Sequence, residues 1–147
     1  MDTTAPAYRL HDSIGFHTTV VARLMERRVE DGLRQHGLTR IGWCILLALE
    51  EERLTRPSEI ATFVGIDRTG TSRALRQLED AGLISRRIGE GDRRNTDVQI
   101  TAKGREVMTA AMPLCSENMC HFSKKLTPEE EHELLRLLGK LRDGETG

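Results

Sequence analysis

Apolar residues recur at helical spacing along most of this chain, and the pattern stops wherever glycines or short polar segments intervene. From about Ala7 to Gln35, residues Leu10, Ile14, Val21, Leu24 and Met25 gather near one face. Arg27, Arg28, Glu30 and Asp31 mark the opposite side, so the segment predicts a long first helix. Gly37 breaks it, and a second helix starts after Thr39 and runs through GWCILLALEEE, with Trp43, Leu46, Leu47 and Leu49 available for burial. In LTRPSEIATFVGI, Pro57 suits the first turn of a helix, where a missing N–H costs nothing. Ile60, Ala61 and Val64 carry its apolar side, and Gly65 ends it. Asp67 then caps a further helix in DRTGTSRALRQLEDAG, which closes on Gly82 in the left-handed C-terminal position. Two short helices joined by a few residues that include a glycine form a helix-turn-helix.

Past Gly82 the period changes. LISRRI and TDVQI alternate as strands do, and the polar stretch GEGDRRN between them suits a hairpin tip. Two strands directly after a helix-turn-helix make a wing. From Ala102 to about Lys124 a helix presents Val107, Met108, Ala111, Met112, Cys115, Met119 and Phe122 along broadly one side, with Pro113 expected to kink or break it. A last helix has a strong start, with Thr127 as cap, Pro128 at the first position and Glu130 closing a capping box. Its stripe of Leu134, Leu135, Leu137, Leu138 and Leu141 is too wide for a helix standing alone in water. The elements together predict a mainly α fold with a small β-wing, in a single domain over residues 1–147.

Composition agrees with that picture. Only 3% of the 147 residues are aromatic, and the apolar load falls mainly on Leu, Ile, Val, Ala and Met. No run approaches the roughly 18 apolar residues that span a bilayer, and the polar N-terminus has no signal-like apolar core. Three cysteines, Cys44, Cys115 and Cys120, form no disulfide framework, so a reducing cytoplasm is expected. The net charge of −1 is unusual for a nucleic-acid binder, but it is unevenly spread. Residues 1–67 hold 8 Lys/Arg against 10 Asp/Glu, residues 68–105 hold 9 against 5, and residues 106–147 hold 5 against 8. A basic middle between acidic ends is the form a focused electrostatic footprint takes.

The basic residues stand where DNA would be read. Leu75 and Leu78 point inward on the second helix of the motif, while Arg68, Thr69, Ser72, Arg73 and Arg76 lie a face away. Arginine and short hydroxyls suit the acceptor and donor edges of a major groove, and the N-terminal part of such a helix meets the bases. The expected DNA-binding set is Arg68, Thr69, Thr71, Ser72, Arg73 and Arg76, with Arg93 and Arg94 from the wing tip. At that tip Asp92 is the wing-stabilising residue, pairing with Arg94 to stiffen the loop so that Arg93 reaches a minor groove.

From Leu54 to Gly104 the chain resembles the MarR family of regulators. The resemblance rests on LTRPSEIA, DRTGTSRALRQLEDAGLISR and DRRNTDVQITAKG. Asp92, Arg94, Val98, the pair Ile100–Thr101 and Gly104 meet the family's wing pattern, with Ile100 where leucine is commoner. Gly70 within the recognition helix is a departure, expected to weaken that helix by up to ~1 kcal/mol relative to Ala. The resemblance implies a homodimer held by helices at 7–36 and 102–143, flanking a winged helix-turn-helix lobe at 38–101. The Met-rich and Leu-rich stripes independently call for a partner, and a two-fold dimer is the commonest closed solution. Such a dimer sets its recognition helices roughly 34 Å apart on a pseudo-palindromic operator of double-stranded DNA.

The resemblance further implies release by a small aromatic or phenolic effector, with His17, Arg40 and Trp43 as ligand-binding residues and Arg40 as the carboxylate partner. A thiol-based redox-sensing regulator is an alternative, as is a winged-helix protein-interaction module. The latter has no need of arginines at both the recognition helix and the wing tip. No phosphate loop, nucleophile–base pair or metal-ligand spacing is present, so neither an enzyme nor a cofactor is expected.

Overall fold

A computed structural model describes residues 5–88 and 96–145. Six α-helices and one antiparallel hairpin follow in the order α1 (Ile14–Gln35), α2 (Arg40–Glu50), α3 (Pro57–Val64), α4 (Arg68–Asp80), β1 (Ile84–Ile88), β2 (Thr96–Ile100), α5 (Ala102–Ser123) and α6 (Pro128–Arg142). The result is mainly α with a two-stranded wing, as the pattern predicts.

The first helix begins later than its apolar spacing suggests. Leu10–Asp12 form a single 3-10 turn, and the Ser13 hydroxyl accepts a hydrogen bond from Phe16 N at 3.3 Å, which starts α1 at Ile14 rather than near Ala7. A serine able to cap outweighs the periodicity on either side of it. Of the kink or break expected at Pro113, the break does not occur, because α5 continues across it to Ser123. Proline forgoes one backbone hydrogen bond there, while buried Met108 and Ala111 and packed Leu114 and Cys115 hold both flanks on the core.

The core joins the two ends of the chain to its middle. Val29 and Leu33 of α1, Ile45, Leu46 and Leu49 of α2, Ile60 of α3, Leu75 and Leu78 of α4, Val98 of β2 and Met108 of α5 are all buried in one cluster. Arg28 of α1 and Glu117 of α5 add a two-pronged ion pair at 2.8 and 2.9 Å across the outside of these helices. The hydrogen bond from Arg28 holds the Glu117 carboxyl below the usual carboxylate range.

The helix-turn-helix is shaped by local chemistry. Gly65 takes φ +79°, a left-handed turn that a side chain would strain. The Asp67 carboxylate accepts from Gly70 N at 2.6 Å to start α4. Gly70 is therefore the third residue of α4, where its amide receives the cap and where a Cβ would stand only 3.0 Å from that carboxylate oxygen. In that place the glycine helps to seat the cap, a benefit set against its low helix propensity.

The wing pairs Ile84 with Ile100, Arg86 with Val98 and Ile88 with Thr96. Its return strand is also tied to the body, since Val98 N donates to Thr55 O at 2.8 Å. The start of α5 is stitched to the turn before β1. Thr101 N donates to Leu83 O at 3.0 Å, Thr101 Oγ1 donates to Gly82 O at 2.7 Å, and the same hydroxyl accepts from Gly104 N. Thr127 and Glu130 make both halves of the capping box that starts α6.

Candidate nucleic-acid interface and adjoining cavity

Helical spacing sets the outer face of α4. Arg68, Ser72 and Arg76 follow one another at four-residue intervals, with Thr69 and Arg73 beside them, so all five side chains lie on one surface. All five are exposed, and together they line a shallow groove of about 360 Å³. Ala74, Leu75 and Leu78 bury the opposite side. No acidic residue occupies the first turn, and Glu79 and Asp80 come only at the far end. The surface offers forked guanidinium donors and hydroxyls without a competing carboxylate, the chemistry that reads base edges.

Thr71 does not belong to this surface. It is 2% exposed, and its hydroxyl donates to Asp67 O at 2.7 Å, so its expected DNA contact is corrected to a packing role. The reason is geometric: Thr71 lies four residues before Leu75 and seven before Leu78, on the inward stripe. That spacing was available in the sequence. Asp92, Arg93 and Arg94 lie outside the described residues.

A second feature lies between the terminal helices and the lobe. A cavity of about 470 Å³ is walled by α1, α2, α5 and α6, with Met25, Val29, Trp43, Phe122, Leu134 and Leu138 supplying much of its apolar lining. Trp43 is half-buried, and its indole N–H donates to Met108 O at 3.4 Å, so the ring presents an apolar flank to the space. Arg40 also lines the cavity, 3.6 Å from Glu26. The structure thus brings these two expected ligand-binding residues to one cavity. His17 does not, because α1 contributes to the cavity only from Ala22 onward. More than a turn earlier, the His17 ring lies 2.6 Å from His11 O and packs against Phe16. Its expected ligand role is corrected to an N-terminal packing role.

Cys44 and Cys115 face the same cavity, which the sequence reading missed because the two helices meet only in the fold. Burial pushes the Cys44 thiol up, and burial together with the neighbouring Cys44 pushes Cys115 up to about 11. A raised thiol pKa keeps the group protonated at neutral pH, and the thiolate is the reactive form. In a variant retaining Cys115 as its one cysteine, where burial alone still raises the thiol, labelling by a disulfide reagent at pH 8 should run at least ~10-fold slower than for free cysteine. The rate should keep climbing beyond the pH at which free cysteine levels off, because burial, the larger cause of the shift, remains. A rate close to that of free cysteine would restore the redox-sensor alternative.

Comparison with known proteins agrees with this arrangement. Residues 36–95 match the model of the MarR family. The transcriptional repressor MprA of Escherichia coli (strain K12) is 30% identical over 122 residues, covering 82% of this chain and 69% of that protein. The Mycobacterium tuberculosis transcriptional regulator MOSR, solved in complex with DNA, superposes with a TM-score of 0.73 at 26% identity, over 85% of this chain and 92% of that one. Bordetella bronchiseptica BpsR, whose DNA binding is regulated by 6-hydroxynicotinic acid, shares the fold with a TM-score of 0.84 at 19% identity, over 94% and 99% of the two chains. Among the described residues no helix is long and apolar enough to cross a membrane. With a winged helix-turn-helix in place and a repressor matched along most of its length, the chain belongs to the MarR family of DNA-binding transcriptional regulators.

Proposed function

We propose that this protein is a repressor that occupies a pseudo-palindromic operator as a homodimer and leaves it when a small aromatic ligand binds. The observation that carries the DNA reading is the exposed face of α4, where Arg68, Thr69, Ser72, Arg73 and Arg76 stand together without an acidic neighbour in the first turn. Arg93 and Arg94 are proposed to reach the flanking minor groove from the wing tip, with Asp92 pairing to Arg94. A dimer seated on the promoter represses by occupying it.

The helical segments at 7–36 and 102–143 are proposed to pair with those of a second copy, and 38–101 to form the DNA-binding lobe. In a single chain Leu10, Ile14, Val21 and Leu24 near one end, and Leu135 and Leu141 near the other, are each at least 45% exposed. Apolar side chains in such number favour a partner that covers them. The cavity beside Trp43 is proposed as the effector site. Its volume is within the usual range for a small ligand, and Arg40 supplies a cation for a carboxylate or phenolate, which would compete with Glu26 for it.

The test is selection from a library of random duplexes in moderate salt, run on the native protein and on a variant with Arg73 and Arg93 both changed to Ala. The native protein should enrich a pseudo-palindrome with half-sites about one turn apart, and the variant should not. If neither enriches a site and binding lacks a steep salt dependence, the interaction-module alternative replaces this reading.

A further inference from the structure

Beside the groove on α4 runs a deeper cleft of about 450 Å³, bounded by the start of α3, by α4 and by the base of the wing. Three guanidinium groups from separate parts of the chain line it: Arg56 from the loop before α3, Arg68 from the first turn of α4 and Arg86 from β1. Ser58, Ser72 and Thr96 add hydroxyls, and among the described residues no member of the lining carries a carboxylate.

Among the described residues, the nearby acids offset this positive charge only at Arg86. Glu79 forms an ion pair with Arg86 Nε at 3.5 Å, longer than a good hydrogen bond, and that nitrogen has no hydrogen-bond partner among the described residues. The Asp67 carboxylate is engaged by Gly70 N. Glu59, in the first turn of α3, is exposed and outside the lining. The position before α3 is held by Arg56, which makes no side-chain cap, so the first amides of that helix remain open to an anion. Arg68 and Ser72 line both the cleft and the groove, so the two depressions adjoin.

We propose that this cleft seats a phosphate of the DNA backbone, with Arg56 and Arg86 as its main cations, and thereby sets the register at which Arg73 and Arg76 meet the bases. The inference rests on the DNA-binding reading of α4. A duplex phosphodiester and a free phosphate ion share the oxyanion chemistry that fits here. The duplex is favoured because the cleft continues into the groove, and because a helix-turn-helix lays its first helix across the backbone.

A backbone contact positions the protein without carrying sequence information, and that separates it from a base contact. Binding of the protein to its selected operator and to a scrambled duplex would be measured by anisotropy across a salt series. Arg56→Gln and Arg86→Gln should each weaken both duplexes by a similar factor, on the order of 50-fold for two phosphates at 0.1 M salt, and should make the salt slope shallower by about 0.9 per phosphate lost. The enriched sequence should not change, and Arg86→Lys should recover much of the slope. A thermal melt checks that each variant is folded, and exposed Arg56 carries the test if Arg86→Gln is not.

Neutral methylphosphonate scanned along the operator should weaken the native protein at one position per half-site and leave Arg86→Gln indifferent there. Unchanged slopes in the variants overturn the proposal while leaving DNA binding intact. So does millimolar binding of inorganic phosphate to the DNA-free protein with no methylphosphonate effect, which would make the cleft a free-anion site. A native protein that binds no duplex overturns both the regulator reading and the phosphate seat.

Discussion

Changing Arg73 to Ala should cost the protein roughly 30-fold or more in affinity for its selected operator while costing far less on a scrambled duplex. Arg73 is exposed in the groove on α4, one turn after Thr69 and clear of any ion pair among the described residues. A guanidinium that forks onto a base edge contributes about 1–3 kcal/mol of discrimination. In a symmetric dimer the loss is counted in both half-sites, and about 1.4 kcal/mol corresponds to tenfold. The position it reads should become degenerate in the selected sequences, with the rest of the site retained. A loss equal on both duplexes would assign Arg73 to the backbone instead. Competition anisotropy with the two duplexes at one fixed salt concentration decides between these results.

Gly104→Ala should be the most damaging single methyl group where α5 meets the wing. A Cβ there would collide with the Leu83 carbonyl oxygen and stand 2.8 Å from Ile100 Cγ1. Neither neighbour is the loose end of a flexible side chain. Leu83 O is backbone and already accepts from Thr101 N, while Ile100 is the last residue of β2. To make room, α5 must lift from the wing, breaking the bonds that Thr101 makes to Gly82 and Leu83. Overpacking of this kind costs about 1–3 kcal/mol and occasionally more. The upper end is expected here, with a fall in Tm of roughly 10 °C by calorimetry. A variant melting within a degree or two of the native protein would show that the junction yields easily.

Local chemistry made much of the lobe legible in advance. Gly65, Asp67 and Gly82 each mark a helix end through a conformation or a cap that acts within a few residues, and the alternation around Ile84 and Val98 marks strands equally locally. The recognition surface was legible for the same reason, because Arg68, Ser72 and Arg76 share a face through spacing alone. Thr71 was misplaced although its spacing from Leu75 was in view, since a hydroxyl among arginines suggests a contact before it suggests packing. The cavity beside Trp43 was only partly legible. Arg40 and Trp43 sit on α2, close to the core, whereas His17 fell outside and Cys115 fell inside because of how α1 and α5 cross. Arg56 and Arg86 were overlooked for a similar reason, as they are thirty residues apart and meet only through the fold.

Helix α5 has a mechanical consequence. It is 22 residues long, about 33 Å at 1.5 Å per residue, and it is continuous across Pro113. Its first turn is bonded to Gly82 and Leu83 beside the wing, and its far half presents Cys115, Met119 and Phe122 to the cavity. A rod bonded beside the wing, packed on the core along its middle and bearing on a fillable space at its far end can tilt as a lever. A tilt of about 5° over that length carries the opposite end through ~3 Å, a full hydrogen-bond length. A ligand that wedges Phe122 outward therefore need not touch the reading head to misalign it; a small angle at the fulcrum is enough.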